Sequence, residues 1–321
     1  MKRALLRSEL LLVVVVMLVL GTGGRGGDAA RPTHSSQRAV MPAHRPQPTI
    51  VFSSARDGQK RHYDIYVAIQ HASRVRQFEI RRLTDHPRGA SWPSWSPDGN
   101  RIAFMSKRHD PGEDIYTMKV DGTNVVRLTN TPALDWYPRW SPNGNYIAWA
   151  RCSGSGFNVW VMDADGSNPH ALTHLATTDD QPDWAPSSTR VVFRSKRDGT
   201  YEIYRMKTDG TELMRLTNNP AEDSNPAWSP DSQRIAFTRR VSGGKGDIFV
   251  MEKDGSNLTQ VTNHPDWDVQ PRWSPDSQRL IFASLRDGNW NIYTMKADGT
   301  DAHKLISSSA VDWEADWLIP R

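Results

Sequence analysis

Residues 224–240 read SNPAWSPDSQRIAFTRR: an aromatic between two prolines, a tight polar turn, then the apolar triplet Ile235-Ala236-Phe237. The same order recurs as WSPDGNRIAF from Trp95, WSPNGNYIAW from Trp140, WAPSSTRVVF from Trp184 and WSPDSQRLIF from Trp273, with a truncated copy at Trp317. Successive tryptophans are 45, 44, 44, 45 and 44 residues apart. A fixed period of that size means stacked units of one supersecondary structure, not independent domains.

Each period carries three further marks. After the Trp comes an apolar triplet, then a segment such as DIYTM (114–118) or NIYTM (291–295), then a Leu-Thr end such as Leu83-Thr84. The segments are short, rich in β-branched and aromatic residues, and bounded by turns such as Asp121-Gly122, Asp209-Gly210 and Asp298-Gly299, which predicts four strands per unit. Triplets apolar on both faces suit a small sheet sandwiched between two neighbours. Six four-stranded sheets around an axis make an all-β, six-bladed β-propeller. The chain enters at Thr49-Ile50-Val51-Phe52 without a Trp strand and ends at Trp317 without a second strand. The C-terminal strand is therefore expected to complete the N-terminal blade and close the ring.

The 321 residues carry a net charge of +4, but residues 1–48 hold seven Lys/Arg against two acids. That leaves 33 bases and 34 acids in residues 49–321, so no basic stripe for nucleic acid is expected. Lys2, Arg3 and Arg7 precede the apolar run LLLVVVVMLVL (10–20), the pattern of an export signal and short for a bilayer span. Residues 1–29 read as a signal peptide or signal anchor, 30–48 as a disordered Pro/His/Arg-rich spacer, and 49–321 as the propeller. The location expected is periplasmic or secreted, with membrane contact only through an uncleaved N-terminal segment. The single cysteine, Cys152, leaves the fold to packing rather than disulfides.

The pattern D-x-x-P-x-W-S-P-D-G, followed by I-A-F, I-Y-x-M, D-G and L-T, resembles the repeat of TolB-type propellers, the periplasmic partner of the Tol-Pal envelope system. The resemblance covers residues 49–321 and implies the fold. It is less specific for function, because similar repeats occur in peptidase gating domains and in oligogalacturonate lyase. The family's N-terminal α/β domain is replaced by the short spacer, so a Tol-Pal role is not carried over.

Three positions before each repeat Trp are candidates for function. Five residues before it stand Asp135, Asp179, Asp223, Asp268 and Asp312, with Ala90 the exception. They are expected near the channel mouth, either capping their loops or forming a ring of acceptors for a divalent cation or a basic segment. Three residues before it the repeat diverges: Trp92, Tyr137, Gln181, Asn225, Gln270 and Glu314. Scaffold positions repeat and recognition positions vary, so this set is the first expectation for partner or ligand contact. One residue before it, Arg139 with Asp183 and Arg272 with Asp316 suggest ion pairs between adjacent blades. Trp92, Trp136, Trp267 and Trp313 are expected as exposed aromatics in the crossover loops, suited to a sugar or a peptide anchor. Arg56, Arg197 and Arg286, in hairpin loops of the same face, stand where they can answer the aspartates.

No G-x-S-x-G, H-E-x-x-H or clustered Cys/His pattern occurs, so no catalytic residues, resident cofactor or metal site are expected. The reading favoured is a monomeric, noncatalytic scaffold that binds a protein segment through the crossover-loop face. A glycan or small-ligand binder on that face is the alternative, and a metal-dependent polysaccharide lyase the third.

Overall fold

The computed structural model describes residues 50–56, 62–70, 77–109, 112–240 and 244–318. The expected signal segment (1–29) and spacer (30–48) lie outside the described residues. The chain enters on β1 (Ile50–Ser54), β2 (Asp64–Gln70) and β3 (Phe78–Arg82). Blade I follows with β4 (Ala90–Trp95), β5 (Arg101–Ser106), β6 (Asp114–Lys119) and β7 (Val126–Arg127). Blade II holds β8 (Asp135–Trp140), β9 (Tyr146–Ser153), β10 (Gly156–Asp163) and β11 (His170–Ala171). Blade III holds β12 (Asp179–Trp184), β13 (Arg190–Ser195), β14 (Glu202–Lys207) and β15 (Met214–Arg215). Blade IV holds β16 (Asp223–Trp228), β17 (Arg234–Arg240), β18 (Gly246–Glu252) and β19 (Thr259–Gln260). Blade V holds β20 (Asp268–Trp273), β21 (Arg279–Ser284), β22 (Asn291–Lys296) and β23 (His303–Ile306). The last strand, β24 (Asp312–Trp317), pairs antiparallel with β1, from Ile50 opposite Trp317 to Ser54 opposite Asp312. The described residues thus form six four-stranded sheets, and blade VI is assembled from both ends of the propeller.

The opening stretch now has a physical account. Trp228 ends the inner strand β16, and Ser229 closes the turn: its Oγ donates to Asp231 Oδ1 (2.5 Å) and accepts from Arg234 N (2.9 Å). Ile235, Ala236 and Phe237 on β17 are fully buried. Ile235 and Phe237 pack with Val192 and Ile203 of blade III, while Ala236 packs with Leu280 and Phe282 of blade V. Each such large side chain stabilises the fold by roughly 1.5–3 kcal/mol through burial, and both faces of the second strand are spent on neighbours. The Leu-Thr mark has a separate cause. Thr84, Thr129, Thr173, Thr217 and Thr262 accept a hydrogen bond from the backbone N of Ile65, Ile115, Val159, Ile203 and Ile248, tying the fourth segment to the third strand. Four of these threonines also donate to the acid that opens the third strand (Asp64, Asp114, Glu202 and Asp247), and Thr173 donates to Asn158.

Two glycines in equivalent Asp-Gly turns separate backbone strain from contact between blades. Gly210 (φ +83°) has nothing within 4 Å of an added Cβ, whereas at Gly299 (φ +86°) that Cβ meets the Val261 carbonyl oxygen at 2.3 Å. Gly210→Ala is expected to cost about 1–2 kcal/mol from the left-handed backbone alone. Gly299→Ala is expected to cost at least about 1 kcal/mol more, because a neighbouring blade must move. Urea denaturation of the two variants checks this, and equal losses would mean that the Asp-Gly turn of blade V does not support its neighbour.

Candidate functional site

Because the inner strands converge on the axis, their side chains form three tiers. The uppermost is the aspartate position that opens β8, β12, β16, β20 and β24. Asp135, Asp179, Asp223, Asp268 and Asp312 are each 0% exposed, which corrects the expectation of open acceptors at a channel mouth. Each is engaged by a guanidinium of its own sheet: Arg151, Arg197, Arg239, Arg286 and Arg56, at 2.7–2.9 Å. Each of these arginines also lies between two aromatic rings. Arg239 stands 5.4 Å from the Phe237 centroid and 4.9 Å from that of Phe249, and Arg286 stands 5.5 and 4.7 Å from Phe282 and Tyr293. The rings shield the charge from water and attract it through their faces, so carboxylate and guanidinium neutralise one another in a largely dry setting. Burial pushes the Asp223 carboxyl up, and Arg239 pulls it back. Arg151, on the second strand of blade II, is missed by sequence reading because blade II lacks the Arg-Asp-Gly hairpin. Arg240 points elsewhere, to the exposed Glu222 at 3.1 Å.

The middle tier is the divergent position. All six residues there have positive φ, from +52° at Gln181 and Asn225 to +59° at Tyr137. In each inner strand a bulge sets two residues opposite one on the second strand, as between Ser224 and Ala227, and the bulged residue turns toward the axis. Gln181 Oε1 accepts from Asn225 N (2.7 Å), Gln270 Oε1 from Glu314 N (3.1 Å), and Glu314 Oε2 from Trp92 N (2.8 Å). These side chains staple one blade to the next. Together with Arg139, Arg272 and the neighbouring prolines they line an axial cavity of about 20 Å³, room for one water.

The mouth around this cavity is lopsided. An aromatic arc runs from Tyr63 to Trp313 (5.2 Å between centroids), Trp92 (6.0 Å), Tyr137 (4.3 Å), Trp136 (6.0 Å) and Phe157 (4.7 Å), crossing blades VI, I and II. Gln181, Asn225 and Gln270 make the other half polar. The arc differs from the expected exposed platform: Trp136 and Trp313 are buried strand residues and Trp92 is half-buried, also in a strand. Only Trp267 lies in a loop, and it too is half-buried. The inner strands begin with the aspartate position, so residues one or two places later are drawn into the packed ring.

The lowest tier corrects the expected ion pairs. Arg139 approaches Asp316 (3.6 Å) across Ser94 of the intervening blade, instead of pairing with Asp183. Arg272 donates to Pro226 O (3.0 Å), and it pulls on Asp183, ahead of Arg139, against the burial that pushes that carboxyl up. The reason is that each acid reaches forward to the next blade's backbone: Asp183 Oδ2 accepts from Trp228 N (2.8 Å) and Asp316 Oδ2 from Trp95 N (3.1 Å). The short side chains of Ser94 and Ala227 leave the gaps that the arginines span. Burial, and after it Arg139, bring the Arg272 guanidinium down to about 10.

Glu314 is the axial acid whose protonation matters most. It is 6% exposed, accepts from Ser53 Oγ (2.6 Å) and Trp92 N, and its Oε1 has no hydrogen-bond partner among the described residues. Burial raises it from the ordinary 4.5 to about 7, against the pull of these hydrogen bonds and of Arg139. The folded state therefore keeps a proton that the unfolded chain releases, and stability falls as pH rises from about 4.5 to about 7. Glu314→Gln is expected to match the wild type near pH 4 and to gain on the order of 3 kcal/mol over it above pH 7. Denaturant titrations at both pH values test this; an equal gap at both would remove Glu314 as the titrating group.

The family model described as the TolB beta propeller domain matches residues 15–210, 128–243 and 216–319. No curated protein matches the sequence. Among solved structures, TolB from Acinetobacter baumannii superposes with a TM-score of 0.73 at 19% identity, over 85% of this chain and 67% of that one. A putative TolB from Agrobacterium tumefaciens gives 0.65 at 18%, over 85% and 99%. The nidogen/laminin complex gives 0.67 at 9%, over 85% and 100%. The structural likenesses show the six-bladed fold, and since the family model spans well over half of the residues, this chain belongs to the TolB β-propeller family.

Proposed function

We propose that the protein is a noncatalytic scaffold that works outside the cytoplasm and holds a protein partner on its crossover-loop face. The observation that carries this is the combination of a nearly closed axis with a lopsided mouth. A site for a drug-sized ligand or sugar is typically a pocket of roughly 300–1,000 Å³, whereas the axial cavity is about 20 Å³. What the mouth offers is a rim, aromatic on blades VI to II and amide-rich on blades III to V, that a large partner meets from outside. The glycan reading is less favoured, because Trp136 and Trp313 have no open ring face to stack on a sugar. The lyase reading needs a convergent metal-binding set, and no three His, Cys, Asp or Glu side chains come together in that way among the described residues. Protein binding and an extracytoplasmic location also fit membership of the TolB propeller family, and the nidogen/laminin complex is an instance of this fold in a protein assembly.

Gln181 and Gln270 staple neighbouring blades, so their removal would confuse lost binding with lost stability. Photo-crosslinking avoids this. Probes at Arg88 and Leu175, exposed in crossover loops, are expected to capture a defined envelope or secreted protein from native material. Probes at Gln233 and Gln278, exposed in turns at the opposite ends of the inner strands, are expected to capture nothing. The reverse pattern would place the interface on the other face.

A further inference from the structure

The six copies of the upper tier act as internal controls for one another, and one of them is incomplete. In blade I the hairpin after the second strand delivers Arg108 between Phe104 (5.2 Å) and Tyr116 (5.0 Å), the same kind of sandwich that holds the other five arginines. Its Nε donates to Ser106 Oγ (3.2 Å), as Arg56, Arg197 and Arg286 donate to Ser54, Ser195 and Ser284. At the position that supplies the carboxylate in the other blades, however, stands Ala90, 4% exposed. Ser106 Oγ turns to the Gly89 carbonyl (2.6 Å), where Ser54 Oγ in blade VI donates to the Asp312 carboxylate (2.5 Å). Arg108 has no carboxylate partner among the described residues.

A second acid is missing from the same place. In blades III and V the residue after the arginine is an aspartate, and Asp198 and Asp287 accept a hydrogen bond from the Tyr204 and Tyr293 hydroxyls. In blade I that residue is His109, whose Nδ1 lies 2.7 Å from the Tyr116 hydroxyl. Asp64 of the adjoining blade, whose charge reaches Arg108, is occupied by Arg82 (2.7 Å) and Thr84 (2.8 Å). His86 faces this corner as well; burial, and then Arg108 and Arg88, depress its basicity. Burial likewise pulls Arg108 below the ordinary arginine value, with Tyr116 and Asp64 opposing. Blade I, the middle one of the three blades that the aromatic arc crosses, thus holds on its crossover side a half-buried guanidinium, fixed in orientation by two rings and a serine.

We propose that Arg108 receives a carboxylate of the bound protein, from an aspartate, a glutamate or a chain terminus, in the position that Asp135, Asp179, Asp223, Asp268 and Asp312 fill from within the other blades. This rests on the crossover face being the protein-binding one. The guanidinium is preorganised and already partly desolvated, so the incoming carboxylate supplies the missing half of a clamp that the chain builds five times for itself. Tyr63 and Trp92, the half-buried members of the aromatic arc, contribute apolar contact, and the charge pair fixes where along the rim the partner sits.

The test uses the full chain as wild type, Ala90→Asp and Arg108→Gln. In the wild type, titration with sodium acetate at constant ionic strength is expected to shift the Arg108 Nε–H resonance, identified by its loss in Arg108→Gln, and to saturate. In Ala90→Asp the resonance is expected to start at the shifted position and ignore acetate, with a melting temperature higher by on the order of 2 °C. No response in the wild type overturns the proposal, and a stronger response to inorganic phosphate than to acetate overturns the carboxylate assignment. Capture through the Leu175 probe is expected to weaken about tenfold in both variants; unchanged capture overturns the role in partner binding. If Ala90→Asp fails to fold, the acetate titration of the wild type and the capture by Arg108→Gln decide. Absence of any capture by the wild type would instead fall on the scaffold reading, with the acetate titration still deciding the anion site.

Discussion

The pairing of β24 with β1 is the constraint on which the other features rest. Each second strand buries both of its faces on neighbouring blades, as Ile235, Ala236 and Phe237 do between blades III and V. An open arc would leave one such face on each end in water. Closure removes both ends at once, and it draws six inner strands onto one axis. There the space is too small for regular pleating. Each inner strand responds with a bulge and a residue at positive φ, and the side chains so turned inward fill the axis to about 20 Å³. The geometry of the mouth is therefore a consequence of how the ring closes.

Within that frame, charge is handled twice by different means. In the upper tier, carboxylates at the head of five inner strands are buried with an arginine and two rings. Burying either charge alone would be strongly unfavourable, and the pair with its hydrogen bonds offsets much of that cost. In the lowest tier, Asp183 and Asp316 each serve a backbone amide of the next blade, while Arg139 and Arg272 span the short residues Ser94 and Ala227. The result is an approximate two-fold arrangement of charges inside a six-fold ring. Neither tier presents a loose carboxylate to solvent, which explains why a ring rich in acids does not amount to an open cation site.

The repeat makes departures from regularity informative. Five blades agree at the aspartate position, so Ala90 is a local exception where the two rings are kept, together with the serine beside Arg108 that blades III, V and VI also carry. The middle tier is different in kind. There all six residues differ except for the two glutamines, and three of them still share one task, accepting a hydrogen bond from a backbone N–H of the next blade. Divergence at this position thus combines two demands, stapling and rim chemistry.

Sequence by itself determined the fold: the period, the four marks per unit and the complementary ends specify six four-stranded blades and the closing strand, because hydrophobic alternation and turn chemistry act over a few residues and survive in each copy. It also singled out the residues of the axis, and placed Arg56, Arg197 and Arg286 where they meet Asp312, Asp179 and Asp268. What it did not decide was direction and depth. That the aspartates are sealed in rather than displayed, that Arg139 turns to Asp316 rather than Asp183, and that Trp136 and Trp313 are buried all depend on how far neighbouring inner strands crowd one another. Those distances belong to the closed ring, and no segment of about 44 residues contains them.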